Sequence, residues 1–197
     1  MPPIRLAPGD YRVMPWKNGG GTTSELAVHP PGAGLDDFLW RVSVADVAAS
    51  GPFSAFAGIE RTIMLLAGAP MTLRGPAGTA TLARHVPHRF AGEDAVEGIL
   101  SAGPVRDFNV MARRGRVQSD VSVLRAGRHA STARNGALLI YCAEGSAQAA
   151  IGTGAPVALA AGETLLERAL ADATLIIVDA ADGAVVIRVG LAASPPG

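Results

Sequence analysis

Apolar residues in this chain fall in short runs, rich in β-branched types and closed by glycine or proline. Such runs mark strands, while the 3.6-residue recurrence of an amphipathic helix is scarce. Strands are predicted at Trp40–Val44, Arg61–Leu66, Met71–Leu73, Ala80–Ala83, Gly98–Leu100 and Phe108–Ala112. Six more are predicted at Val121–Arg125, Ala137–Cys142, Ser146–Ile151, Thr164–Arg168, Thr174–Val178 and Ala184–Val189. Asn135-Gly136, between two of these runs, is the pair expected of a tight hairpin turn. Many short strands at a spacing of roughly 8–12 residues argue for a barrel or sandwich.

A shift of 77 residues lays the chain on itself. It pairs Ile63 with Ile140, Gly68 with Gly145, Gly75 with Gly152, Leu82 with Leu159 and Ile99 with Ile176. The run Phe108–Met111 then falls on Val185–Arg188. The matched order of strands and glycine turns predicts two barrel units of similar plan. Their junction is expected between Arg116 and Gly136.

Within the runs, alternation sorts side chains onto faces. Arg41 and Ser43 share one face of their strand, and Trp40, Val42 and Val44 share the other. Asp107 and Asn109 likewise share a face. If that pair points inward it must be hydrogen-bonded, because burying unpaired polar groups is costly. Gly51-Pro52-Phe53-Ser54-Ala55-Phe56-Ala57-Gly58 is a turn-rich stretch with two aromatic residues, leading into Arg61.

Composition narrows the class. Of 197 residues, 49% are hydrophobic and 17% charged, so a core is available and disorder is excluded. The single cysteine, Cys142, excludes an internal disulfide and any multi-thiolate metal site. Net charge is zero, with no overall pull toward nucleic acid or an anionic membrane. Seven arginines between Arg106 and Arg134 form a local basic block, and its Arg113-Arg114-Gly115-Arg116 cluster has none of the interleaved aromatics that favour single-stranded nucleic acid. The amino-terminal stretch lacks the apolar core of a secretory signal, and no apolar run is long enough to span a bilayer. A cytoplasmic protein of bacterial style is expected.

Most catalytic patterns are missing. The four histidines are His29, His85, His88 and His129, and only His85 and His88 are close in sequence. An i, i+3 pair on a strand faces both ways, and Arg84 and Arg89 flank it, so no metal and no cofactor is expected. Cys142 sits inside an apolar run, and neither a nucleophile elbow nor a phosphate loop occurs. The unusual stretch is Trp16-Lys17-Asn18-Gly19-Gly20-Gly21, which holds the chain's only lysine beside sixteen arginines. Successive glycines let backbone N–H groups approach an anion, with Lys17 as a point charge and Asn18 as donor and acceptor. A plain surface turn is the alternative.

These stretches, in this order, resemble the HutD/Ves family. The resemblance is carried by Met14-Pro15-Trp16-Lys17-Asn18-Gly19-Gly20-Gly21, by Trp40-Arg41, and by Gly51-Pro52-Phe53-Ser54 with Arg61. It continues through Phe90-Ala91-Gly92-Glu93 and Gly103-Pro104-Val105-Arg106-Asp107-Phe108-Asn109-Val110-Met111 to Arg113-Arg114-Gly115. It covers residues 9–116 closely and the remainder loosely. It implies an all-β bicupin, two cupin-like barrels in one chain, here divided as residues 1–116 and 117–197 with strand exchange between them left open. It also implies a link to histidine utilisation, through a proposed role in sensing or buffering an intermediate such as formylglutamate. No established enzymatic activity accompanies the family, and this chain lacks the His-x-His…Glu…His pattern of metal-dependent cupins.

The expectation that follows is a non-enzymatic protein that binds a small carboxylate metabolite in the first barrel. Lys17, Arg41 and Arg61 would meet carboxylates, and Asn18, Asp107 and Asn109 would orient the ligand. Trp16, Trp40 and Phe108 would be walls or core. The alternative is a metal-independent enzyme using Asp107 or Glu25 as acid or base. Among protein partners, self-association as a homodimer is the first candidate, because barrel edge strands pair readily. Neither nucleic acid nor membrane is expected as a partner.

Overall fold

The structure is a computed structural model and describes residues 2–17 and 19–194. Strand makes up 66% of the chain and helix 2%, so every packed layer is a sheet. A single turn of 3₁₀ helix, Pro8–Asp10, is the only helical element among the described residues. None of them forms a helix long and apolar enough to cross a membrane.

Two compact units form. One runs from Arg12 to Arg116, and the other holds the chain from Val117 onward together with the segment up to Tyr11. The expected division therefore differs at the amino end. The short strand β1 (Ile4–Leu6) leaves residues 12–116 and pairs antiparallel with Thr164–Leu166. Arg5 adds a 2.5 Å ion pair to Glu163 there, and Tyr11 donates a 2.7 Å hydrogen bond to the Gly162 carbonyl.

The unit from Arg12 to Arg116 has two sheets. Its first strands are β2 (Arg12–Pro15), β3 (Gly21–His29), β4 (Trp40–Val47), β5 (Gly51–Pro52) and β6 (Ile59–Ala67). The rest are β7 (Met71–Gly75), β8 (Gly78–Leu82), β9 (His88–Ala91), β10 (Glu97–Leu100) and β11 (Val105–Arg113). The larger sheet has the order β2-β3-β4-β11-β6-β9, and the smaller β5-β10-β7-β8. Ala45, Val47, Ile63 and Leu65 of the larger sheet pack with Met71, Leu73 and Leu82 of the smaller in one apolar cluster.

The other unit consists of β1 with β12 (Val117–Ala133), β13 (Gly136–Glu144), β14 (Ser146–Ile151), β15 (Val157–Ala160), β16 (Thr164–Leu170) and β17 (Thr174–Ala193). Strand β17 takes up both predicted runs, Thr174–Val178 and Ala184–Val189. Its first half pairs with β14 and its second with β13, while β12 runs along both halves. The predicted Asn135-Gly136 hairpin is corrected by this topology, since β12 and β13 each pair with β17 and not with one another. The glycine serves a different need. Gly136 has φ +148, and a Cβ there would lie 2.1 Å from the Leu191 carbonyl oxygen.

The internal repeat maps pairing onto pairing. β6–β9, β6–β11, β7–β8 and β7–β10 correspond to β13–β16, β13–β17, β14–β15 and β14–β17. The offset is 77 for β6 and β9 but 79 for the closing strands. Ile63 faces Asn109 as Ile140 faces Arg188. The expected match of Phe108–Met111 to Val185–Arg188 is thus corrected by two residues. The chain is a bicupin of two cupin-like barrels.

Candidate functional site in the first barrel

The inward face of the larger sheet is fixed by the apolar cluster, and alternation extends that face along each strand. Arg41 and Ser43 point the same way as Ala45 and Val47 on β4, and Arg61 the same way as Ile63 and Leu65 on β6. Register then builds rows across the sheet. Glu25, Ser43, Asn109, Ile63 and His88 form one, and Arg41, Met111, Arg61 and Phe90 the next. Asp107 stands between Ala45 and Leu65. The two arginines of one row lie two strands apart, roughly 10 Å between backbones.

Arg61 is the centre of this group. It is 3% exposed. One Nη donates to Asn109 Oδ1 at 2.8 Å, the other to the Ser54 carbonyl at 3.3 Å, and Nε is buried without a partner. Three aromatic rings surround the guanidinium, Phe90 at 4.9 Å, Phe53 at 5.1 Å and Phe56 at 5.8 Å from their centroids. Such contacts contribute on the order of 0.5–2 kcal/mol each, and they pin the plane of the group. Gly98 makes room for one of the rings, since a Cβ there would sit 2.7 Å from Phe53 Cε2 and 3.3 Å from Met71 Sδ.

Asn109 carries the arrangement onward, its Nδ2 donating to Asp107 Oδ1 at 2.5 Å. Asp107 has 0% exposure, and its Oδ2 has no hydrogen-bond partner. Burial pushes this carboxyl up to about 7; Arg61 and the Asn109 hydrogen bond oppose the shift, and Asp46 adds to it. Burial likewise brings the Arg61 guanidinium down to about 10, with Asp107 opposing and the positive charge of Arg41 adding. Arg41 is 5% exposed, and its Nε donates to Glu25 Oε2 at 2.7 Å. The group thus offers a caged guanidinium with an unused N–H, a second buried guanidinium, and a carboxyl oxygen without a donor.

Of the residues singled out in the sequence, Arg41, Arg61, Asp107 and Asn109 lie on this one inward face, where Asn109 joins Arg61 to Asp107 and Arg41 is paired with Glu25. Lys17 does not join them. It is exposed on the Trp16–Gly21 turn, where Trp16 Nε1 donates to Thr23 Oγ1 and Trp16 packs on the apolar cluster. That turn adjoins the Val47 end of the sheet, four residues of β3 before Glu25, or roughly 13 Å along the strand. Asn18 lies outside the described residues. Trp40 and Phe108 belong to the opposite face of the sheet. The structure adds Glu25, Ser43 and three phenylalanines to the ligand contacts that the sequence points to; Phe53 and Phe56 carry a signal in their aromatic spacing ahead of Arg61, while Phe90 is joined to it only by register. Among the described residues, no three histidine, cysteine or acidic side chains gather so as to hold a metal ion.

The second barrel shows that the fold does not need these charges. By register, Leu138 stands where Arg61 stands and Val186 where Asp107 stands, both at 0% exposure in an apolar core. Polar residues were placed in the first barrel at positions where packing alone is served by Leu and Val.

The HutD family model matches residues 9–185. Protein Ves of Citrobacter koseri is 45% identical over 119 residues, 58% of this chain and 61% of that protein. An uncharacterized 21.2 kDa protein of Pseudomonas putida, from a hutC 3′ region, is 45% identical over 103 residues, 52% of this chain and 54% of that protein. The chain therefore spans less than two thirds of the length of these two relatives. Among solved structures, a conserved protein of unknown function from Pseudomonas aeruginosa PAO1 superposes with a TM-score of 0.91 at 34% identity, covering 97% of this chain and 99% of that one. HutD from Pseudomonas fluorescens SBW25, in a formate condition, superposes with a TM-score of 0.83 at 30% identity, covering 98% and 100%.

Proposed function

The chain belongs to the HutD family, and from that premise we propose that it binds a small carboxylate metabolite of the formylglutamate kind in its first barrel. Its role is regulatory or buffering, within histidine utilisation. The hutC surroundings of the Pseudomonas putida relative support the pathway. The observation that carries the binding is Arg61, a guanidinium 3% exposed, caged by three rings and left with a buried Nε–H that nothing accepts. A carboxylate supplies the missing acceptor, and an ionised partner makes the bond a strong one. Arg41, in the same row, is a second buried guanidinium; its Nε is engaged by Glu25, and its remaining N–H groups are the donors we assign to the second carboxylate of a dicarboxylate.

The test is a thermal-shift and calorimetric screen with formylglutamate, glutamate, urocanate and formate, on the native chain and on Arg61→Leu. Leucine is chosen because Leu138 fills the corresponding place in the second barrel. A ligand at a hundred times its Kd stabilises the folded protein by about 2.7 kcal/mol. The native chain is expected to show this gain with a dicarboxylate, and Arg61→Leu to fold and lose it. No shift with any dicarboxylate at millimolar concentration refutes the proposal. Asp107, with its carboxyl near 7, favours one second reading, an acid or base in a metal-independent enzyme. Turnover of a screened compound, lost in Asp107→Asn, would establish that reading instead.

A further inference from the structure

Asp107 presents a problem for any anion in this barrel. Its Oδ1 is taken by Asn109, which also holds Arg61, so the carboxyl is joined to the guanidinium through an amide and not directly. Its Oδ2 is fully buried and meets no donor. Asp107 stands one hydrogen-bonded residue away from Arg61, so a ligand carboxylate drawn to Arg61 comes under the charge of Asp107. Two ionised carboxylates in a site this dry repel strongly, whereas a carboxylate beside a carboxylic acid gains a hydrogen bond. Resting on the ligand reading above, we propose that the carboxylate ligand enters together with a proton, which Asp107 Oδ2 holds and donates to the ligand.

The step is one of binding only. Water or buffer gives up a proton, Asp107 takes it at Oδ2, and the new O–H points at a ligand oxygen while Arg61 faces that same carboxylate. Charged and polar groups stand on the strands around Asp107. On its own strand β11 stand Asn109 and, exposed and paired with Asp46 of β4 at 2.7 Å, Arg106. Arg41 lies on β4 and Glu25 on β3, joined to one another. Arg61 lies on β6, and His88 on β9 shares the Asn109 row. Burial is the largest influence on the carboxyl; Arg61 and the Asn109 hydrogen bond favour the ionised form and Asp46 disfavours it, which leaves the free carboxyl near neutrality. The second barrel, with Val186 in place of Asp107, holds no such proton.

The experiment is titration calorimetry with formylglutamate between pH 6 and pH 8.5, in buffers of different ionisation enthalpy, on the native chain and Asp107→Asn. With a free carboxyl near 7, the native chain is expected to take up about 0.9 proton per ligand at pH 8, and almost none at pH 6. Its affinity is expected to fall about tenfold from pH 6 to pH 8. The asparagine amide keeps an N–H where the acid holds its O–H. Asp107→Asn is therefore expected to take up no proton from this position and to bind about tenfold more tightly than the native chain at pH 8. It retains His88, so any uptake that survives in it belongs elsewhere. Binding without proton uptake at pH 8, or weaker binding by Asp107→Asn at that pH, overturns the inference and leaves the ligand reading intact. Absence of binding at every pH overturns both.

Discussion

Replacing Asp107 by asparagine removes an ionisable buried group while keeping its shape, and this is expected to change ligand-free stability with pH. The carboxyl has 0% exposure and is pushed up to about 7 by burial. In the unfolded chain an aspartate titrates near ~3.9. Between those values the folded protein holds a proton that the unfolded chain has released, so stability falls as pH rises through that window. Below it both states are protonated and the group contributes nothing. Above it the loss is complete: about three pH units at 1.36 kcal/mol each, or about 4 kcal/mol. The asparagine of the variant cannot ionise. Its side-chain oxygen still accepts from Asn109, and its N–H takes the place of the acid O–H, so at low pH the two proteins match. Urea unfolding of the whole chain is expected to find Asp107→Asn about 4 kcal/mol more stable than the native protein at pH 8, and about 1 kcal/mol at pH 4.5. A difference that stays constant between the two pH values refutes the reasoning, because it assigns Asp107 no proton in the fold.

Two further perturbations probe the supports of the site. Glu25→Gln leaves Arg41 buried beside a neutral partner; the two side chains are 9% and 6% exposed. Breaking such a pair is expected to lower stability by about 3 kcal/mol in chemical unfolding, and a change below about 1 kcal/mol would show the pair to be solvated. Gly98→Ala places a methyl 2.7 Å from the Phe53 ring. It is expected to lower stability by about 1–3 kcal/mol and to weaken carboxylate binding by opening the cage around Arg61, with both read from the same thermal-shift series. Unchanged binding there would mean that Phe53 does not hold the guanidinium.

Sequence by itself settled what is local. Period-2 alternation and glycine punctuation gave twelve runs that fall in eleven of the seventeen strands described, leaving β1, β2, β3, β5, β9 and β15 unpredicted, and the alternation in Trp40–Val44 and Phe108–Ala112 sorted Arg41, Asp107 and Asn109 onto definite faces. The 77-residue echo disclosed two similar barrels, because the same order of strands and turns was written twice. Only tertiary structure chose partners. It carried β1 across to β16, set β12 and β13 both against β17, and slipped the closing strands of the repeat by two residues. It also chose which face was inside, and so set Arg41 and Arg61 in one inward row, two strands apart, while Lys17, the most conspicuous residue of the sequence, is exposed. The physical reason is range: a strand's faces follow from its own dihedral angles, whereas its register and its inward side are decided by apolar surface supplied by residues dozens of positions away. Phe90 reached Arg61 through the β6–β9 ladder alone, and no spacing along the chain foretold that contact.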